Sequence, residues 1–239
     1  MKTFDVNNVI IEVTRKCNMT CEHCLRGPAQ NLNIDHKYIS TLLDNINSIG
    51  VLTFTGGEPS LNIPAMRFTL EELKRRKINV NSFFIVTNGS KKSYSPEFLQ
   101  LLLDLYLYQD ADIKDFCSMV ELSVDNYHYG HDQAKAIKML SAFSFFRVRD
   151  NTGDRWSLIN EGRAKTNGLG ERNLGDSERE WDGYVEGEVY LNARGMMCAD
   201  CDYSYKTQNR KAVCSVNEFG KFIEKLIKEA EEWEFAETA

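Results

Sequence analysis

Cys17, Cys21 and Cys24 put three thiols within eight residues, just after the apolar, β-branched run from Val9 to Thr14. Thiolates are soft ligands, and three this close can grip one multi-iron cluster. No fourth cysteine lies nearby in the sequence, so a 4Fe–4S cluster held here keeps one iron open to a further ligand. A structural zinc site completed by His23 is the competing chemistry, although zinc ligands usually come paired as C-x2-C on separate knuckles. A second group, Cys198, Cys201 and Cys214, is spaced C-x2-C-x12-C towards the C-terminus. Seven cysteines is an odd number, and six stand in these two groups. Clustered cysteines in a reducing compartment are metal ligands more often than bridges.

Other residues could complete a site around the first group. In Gly56-Gly57-Glu58-Pro59 the glycines permit close backbone approach and the carboxylate complements a cation. Thr87-Asn88-Gly89 and Ser123-Val124-Asp125 are short polar segments at the ends of apolar runs, and His128 follows as a group able to bind or protonate a substrate. Arg163 offers the fork geometry that suits a carboxylate.

The elements that must position these residues alternate. Strands are expected at Val9–Thr14, Val51–Thr55, Ser82–Val86, Met119–Val124 and Phe145–Val148. Helices are expected at Tyr38–Ile49, Arg67–Lys77, Pro96–Tyr108 (with Ser95 as its cap) and Asp132–Phe143. Such alternation implies parallel βαβ units, as an open sheet or a barrel, and both put ligand sites at the carboxyl ends of the strands. The stretch from Asn151 to Gly183 is the least ordered reading, with only Trp156–Ile159 strand-like. Glu188–Leu191 and Met196–Cys198 read as a hairpin, followed by an amphipathic helix from about Val216 to Glu234. A length of 239 residues suits one large domain, 1–184, with a small cysteine-containing appendage, 185–239. A net charge of −6 gives no general attraction for nucleic acid or anionic membranes. No apolar stretch is long enough to span a bilayer, and a cytoplasmic location is expected.

The C-x3-C-x2-C of Cys17, Cys21 and Cys24, with Gly56–Pro59 one βα unit later, resembles the radical S-adenosylmethionine (SAM) superfamily, in its short bacterial or phage-type form. The resemblance implies a partial parallel (β/α)6 TIM-like barrel with a C-terminal hairpin-plus-helix appendage. It implies a 4Fe–4S cluster on Cys17, Cys21 and Cys24 whose open iron takes the amino and carboxylate groups of SAM. Gly56, Gly57, Glu58 and Pro59 would receive the SAM amino group. Asn88, Ser123 and Asp125 fall where family members touch its ribose and methionine parts, and Arg163 where some hold its carboxylate. The implied activity is reductive cleavage of SAM to a 5′-deoxyadenosyl radical that abstracts hydrogen from a peptide, a protein or a nucleotide-like small molecule. The electron would come from an external flavodoxin- or ferredoxin-like donor.

The second cysteine group is similar to the truncated auxiliary-cluster (Twitch- or SPASM-like) domains of radical SAM enzymes that cyclise GTP or modify peptides. It implies a second 4Fe–4S cluster on Cys198, Cys201 and Cys214. Three alternatives stand beside it: a zinc site completed by Asp200, Asp202 or an outside ligand, a redox pair, or cysteines that bind nothing. Cys117 is expected either as a fourth ligand or as a small buried hydrophobe. From a different class, the chain could be a catalytically inactive metal-binding interaction or regulatory protein.

Overall fold

The computed structural model describes residues 3–112, 118–128, 133–152, 158–174, 188–226 and 228. Strands β1 (Phe4–Thr14), β2 (Ile46–Gly56), β3 (Asn79–Thr87), β4 (Val120–Val124) and β5 (Phe146–Asp150) alternate with helices α1 (His36–Leu43), α2 (Ile63–Arg76), α3 (Pro96–Tyr108) and α4 (Gln133–Leu140). A short helix α5 (Gly162–Thr166) then precedes β6 (Glu188–Leu191), β7 (Met196–Cys198), α6 (Tyr205–Gln208) and β8 (Ala212–Ser215). The chain is again helical over 219–226.

Among the described residues, eight strands form one open sheet in the order β5-β4-β3-β2-β1-β6-β7-β8. The first six strands run parallel, and β7 and β8 are antiparallel. The fold is thus the expected partial, unclosed parallel α/β barrel with a hairpin after it. The sixth parallel strand, however, pairs with β1 and not with β5, with Asn8 opposite Glu188 and Ile11 opposite Leu191. Val189 and Leu191 thereby join Val9, Ile11 and Val13 in one hydrophobic core with the helix residues Leu42, Leu70, Leu101 and Leu140. Alternate residues of β1 face the other way: Ile10 packs with Tyr190 and Cys198 in a smaller cluster. This is the two-residue side-chain period of a strand.

Several boundaries differ from the sequence reading. The helix expected to run to Ile49 stops at Leu43, with Asp44 as its C-cap, and Ile46–Ile49 starts β2. The reason is tertiary: β1 begins early, at Phe4, and offers a parallel edge on which Phe4 meets Ile46 and Val6 meets Ile49. Pairing outweighs a periodic pattern that serves either state. Helix α2 starts four residues before the expected Arg67, with Pro64 in its first turn, and ends at Lys77 in the left-handed conformation (φ 60°). Helix α3 matches its expected span, and the Ser95 side chain accepts from Phe98 N. Trp156 and part of the expected strand around it, Cys117, Asp132 and the last part of the expected terminal helix lie outside the described residues. After the expected boundary at 184, Met197, Val216, Phe219 and Ile223 pack in the main core.

Candidate active site at the carboxyl ends of the parallel strands

The loops leaving β1 to β5 line one cavity of about 540 Å³, a size ordinary for a small-molecule site of about 300–1,000 Å³. Cys17, Cys21 and Cys24, Gly56 to Pro59, Asn88, Ser123, His128 and Arg163 all line it. The structure therefore brings every expected residue of the first site to one place except Asp125.

The cysteine loop returns on itself through Cys24 N to Cys21 O (3.3 Å) and Gly27 N to Cys24 O (3.3 Å). Burial pushes the Cys17 thiol up, and pushes Cys21 up to about 11 with the help of the neighbouring Cys17 and Cys24. Such a set wants a cationic centre before it ionises. A single zinc fits poorly. Tetrahedral zinc–sulfur bonds of about 2.3 Å place sulfurs about 3.8 Å apart. Among the described residues, the metal-type ligand triples within 4.8 Å of one another are His23/Asp125/His128 and Glu188/Asp200/Cys201. The three loop thiols do not all lie within 4.8 Å of one another. His23 stacks on Tyr127 at 4.6 Å, and its buried Nδ1 has no hydrogen-bond partner among the described residues.

Gly56 and Gly57 let the end of β2 lie directly on the cysteine loop. A Cβ at Gly56 (φ +145°) would stand 2.0 Å from Thr14 O, and one at Gly57 would stand 2.2 Å from Lys16 O. No other residue fits such an approach. Gly57 N donates to Thr14 O (2.9 Å) and Glu58 N to Lys16 O (2.8 Å), so the turn fixes the residue before Cys17. Glu58 is 1% exposed. Its Oε1 accepts from Ser60 N (3.1 Å) and Thr87 Oγ1 (2.9 Å), and its Oε2 from Asn88 N (2.8 Å). Burial pushes its carboxyl up, and these donors pull against that. Glu58 thus ties β2 to β3 as well as facing the cavity.

Asn88 reaches back to the cysteine loop, donating to Asn18 Oδ1 (3.1 Å) and lying 3.9 Å from Cys17 Sγ. Gln133 donates to the carbonyls of both Asn88 (2.8 Å) and Ser123 (2.9 Å), fastening the ends of β3 and β4. Asp125 stands behind the cavity wall. Its Oδ2 lies 2.7 Å from His128 Nδ1, and its Oδ1 accepts from Tyr127 N and His128 N. Burial opposes ionisation, but the His128 contact and the Tyr127 amide hold the carboxyl down at about 2. Asp125 is not among the residues that line the cavity. Arg163 N donates to Cys24 O (2.8 Å). The preceding Gly162 (φ +55°) makes that contact achievable, since a Cβ there would meet Leu25 O at 2.2 Å.

The second cysteine group does not converge. Cys214 lies opposite Met197 in the β7–β8 register and packs with it on the main core. Cys198, one residue on from Met197, faces the other way with Cys201. Cys214 thus packs on one side of the sheet and Cys198 and Cys201 on the other, an arrangement that lends the expected three-cysteine ligand set no support. Cys201 Sγ approaches Glu188 Oε1 at 3.6 Å instead.

One part of the site was not anticipated. Glu12 and Arg15, both fully buried, form an ion pair of 2.6 Å two residues before Cys17. Tyr190 Oη donates to Glu12 Oε2 (2.8 Å), Ala193 N to Glu12 Oε1 (3.0 Å), and Arg15 Nη2 to Gln208 Oε1 (2.6 Å). The available signal was a carboxylate inside an otherwise apolar strand.

The fold and this constellation define an α/β protein with a three-thiol loop facing a glycine–glutamate turn. The sequence model of the radical SAM superfamily matches residues 11–131, half of the chain, and the chain belongs to that superfamily. It is 32% identical over 126 residues to a GTP 3′,8-cyclase of Chlorobaculum tepidum, covering 50% of this chain and 33% of that protein. It is 28% identical over 89 residues to an uncharacterised protein of Methanocaldococcus jannaschii, covering 36% of this chain and 31% of the other. The chain spans about a third of the length of these curated relatives. Among solved structures, anSMEcpe with bound AdoMet and a Kp18Cys peptide aligns with a TM-score of 0.48 at 12% identity, over 95% of this chain and 83% of that one. Streptococcus suis SuiB bound to SAM aligns with a TM-score of 0.40 at 12% identity, over 83% and 61%. Membership of the superfamily implies a 4Fe–4S cluster and SAM, and the three cysteines that line the cavity are a donor set that fits the cluster. No described helix is long and apolar enough to cross a membrane.

Proposed function

We propose that this chain is a radical SAM enzyme in which Cys17, Cys21 and Cys24 hold the 4Fe–4S cluster and the shared cavity holds SAM. The observation that carries the reading is the joining of the cysteine loop and the Gly56–Glu58 turn by backbone hydrogen bonds inside one cavity. When bound, cluster and SAM together supply a 5′-deoxyadenosyl radical for hydrogen abstraction. The protein's own residues do the rest. Glu58, held by three donors, presents negative charge to the SAM ammonium. Arg163, anchored on Cys24 O, presents its guanidinium to the SAM carboxylate. Asn88 and Ser123 line the wall where ribose hydroxyls need polar partners. Asp125 holds His128 in a fixed tautomer and orientation at the cavity face. A one-electron donor of flavodoxin or ferredoxin type docks from outside, and the substrate is a nucleotide-like small molecule or a peptide.

The test is spectroscopic. The reduced, anaerobically reconstituted protein should show an electron paramagnetic resonance signal that shifts on adding SAM. An unchanged signal would contradict SAM binding at the open iron and favour the inactive metal-binding alternative.

A further inference from the structure

His23 leaves the cysteine loop towards the end of β4, where Asp125 and His128 stand. One nitrogen or carboxylate oxygen from each of the three lies within 4.8 Å of the other two. Asp125 Oδ2 is the hub, with His128 Nδ1 at 2.7 Å and His23 Nε2 at 3.9 Å. The other oxygen, Oδ1, accepts from the backbone N–H groups of Tyr127 (2.8 Å) and His128 (2.9 Å), which holds the carboxylate with Oδ2 turned to both rings. Stacking on Tyr127 holds the His23 ring in its turn. The side chains of His23, Asp125 and His128 are 20%, 10% and 15% exposed, mostly withdrawn from water yet within reach of a small ion.

A hydrogen bond accounts for the Asp125–His128 pair but not for His23. At 3.9 Å its Nε2 is beyond hydrogen-bond reach of the carboxylate, and its buried Nδ1 has no partner among the described residues. A buried polar atom left without a partner calls for an explanation, and an ion held nearby is one. Two imidazoles and one carboxylate are the donor set of mononuclear divalent iron sites that keep open positions, and each ligand type serves other first-row ions too. Bonds of about 2.0–2.2 Å place neighbouring ligand atoms about 2.9–3.4 Å apart at octahedral to tetrahedral angles. The observed 2.7 and 3.9 Å bracket that range. His23 and His128 both line the cavity, so the positions that three protein ligands leave open face it.

We propose that His23, Asp125 and His128 bind one divalent transition-metal ion at the cavity wall, separate from the cluster on the three thiols, with its open positions available to an oxygen or nitrogen donor of the substrate. The site does not depend on SAM, so its test is run without it.

The probe is Mn²⁺, the weakest binder of the first-row series, so that any binding it shows is a lower bound for the class. It is added to the reconstituted, oxidised protein, whose cluster is silent in electron paramagnetic resonance, and the loss of the free-ion signal counts the bound ion. The wild type should bind one Mn²⁺ per chain. Pulsed spectra of the bound ion should show coupling to imidazole nitrogen, a readout that needs no variant. Asp125→Asn and His128→Gln should each weaken binding by about tenfold or more, while an iron content of about four per chain shows that the cysteine loop persists in them. Glu188→Gln alters the other ligand-type group, Glu188/Asp200/Cys201, and should leave the Mn²⁺ count unchanged. Any of four results would overturn the proposal: no binding by the wild type at up to about 1 mM Mn²⁺, a bound ion without nitrogen coupling, unweakened binding by both Asp125→Asn and His128→Gln, or loss of the ion in Glu188→Gln alone. Mn²⁺ binding that fails while SAM binding holds sinks this inference and leaves the radical SAM reading standing.

Discussion

Glu58 shows how one side chain serves both fold and chemistry. It is buried with donors from Ser60, Thr87 and Asn88 upon it, so its carboxylate is fixed before any ligand arrives. Preorganised charge of this kind needs no rearrangement when a cation binds. Replacing Glu58 by Gln turns an amide N–H2 towards groups that are themselves donors and removes the negative charge. SAM binding, measured by equilibrium dialysis, should weaken about tenfold to a hundredfold, matching the roughly 1.5–3 kcal/mol of a hydrogen bond to a charged group. Unchanged affinity would remove Glu58 from the SAM site. Asp125 is held in a similar way, its oxygens contacting His128 and the Tyr127 amide.

At the scale of elements, α1 and α2 are locked by a polar cluster centred on Glu72. Arg75 binds it at 2.8 and 3.0 Å, Arg76 also contacts it, and Ser40 of α1 donates at 3.1 Å. These contacts, Arg75 foremost, hold the Glu72 carboxyl at about 2, below its ordinary 4.5. A carboxyl depressed in the folded state adds stability that is present above 4.5 and fades as pH falls through about 2. In denaturant melts the wild type should therefore lose more stability than Glu72→Gln over that window, by on the order of 1 kcal/mol or less. Parallel curves would remove the Glu72 contribution. The β7–β8 register makes a second prediction. Because Cys214 faces the main core and Cys198 and Cys201 face away from it, the triple variant Cys198→Ala/Cys201→Ala/Cys214→Ala should keep about four irons per chain, one 4Fe–4S cluster. A fall from about eight to about four would restore the auxiliary cluster.

At the scale of the whole molecule, the buried Glu12–Arg15 pair binds the strand before Cys17 to Tyr190, Ala193 and Gln208. The later segment is thus part of the frame that aims the cysteine loop. Little of this was legible in the sequence. The thiol spacing, the Gly56–Glu58 turn and the Ser95 cap are local signals, and each stands where the residues implied. The extension of β2 to Ile46, the pairing of β6 with β1 and the separation of Cys214 from Cys198 depend on which strands meet, and one chain's periodicity does not encode that. The central claim concerns what the cysteine loop and its cavity do together. Its most direct test is anaerobic reconstitution to about four irons per chain, then addition of SAM and dithionite, with the products analysed by mass spectrometry. The expected result is 5′-deoxyadenosine from the wild type and none from Cys21→Ala; a fully loaded wild type that yields none contradicts the account.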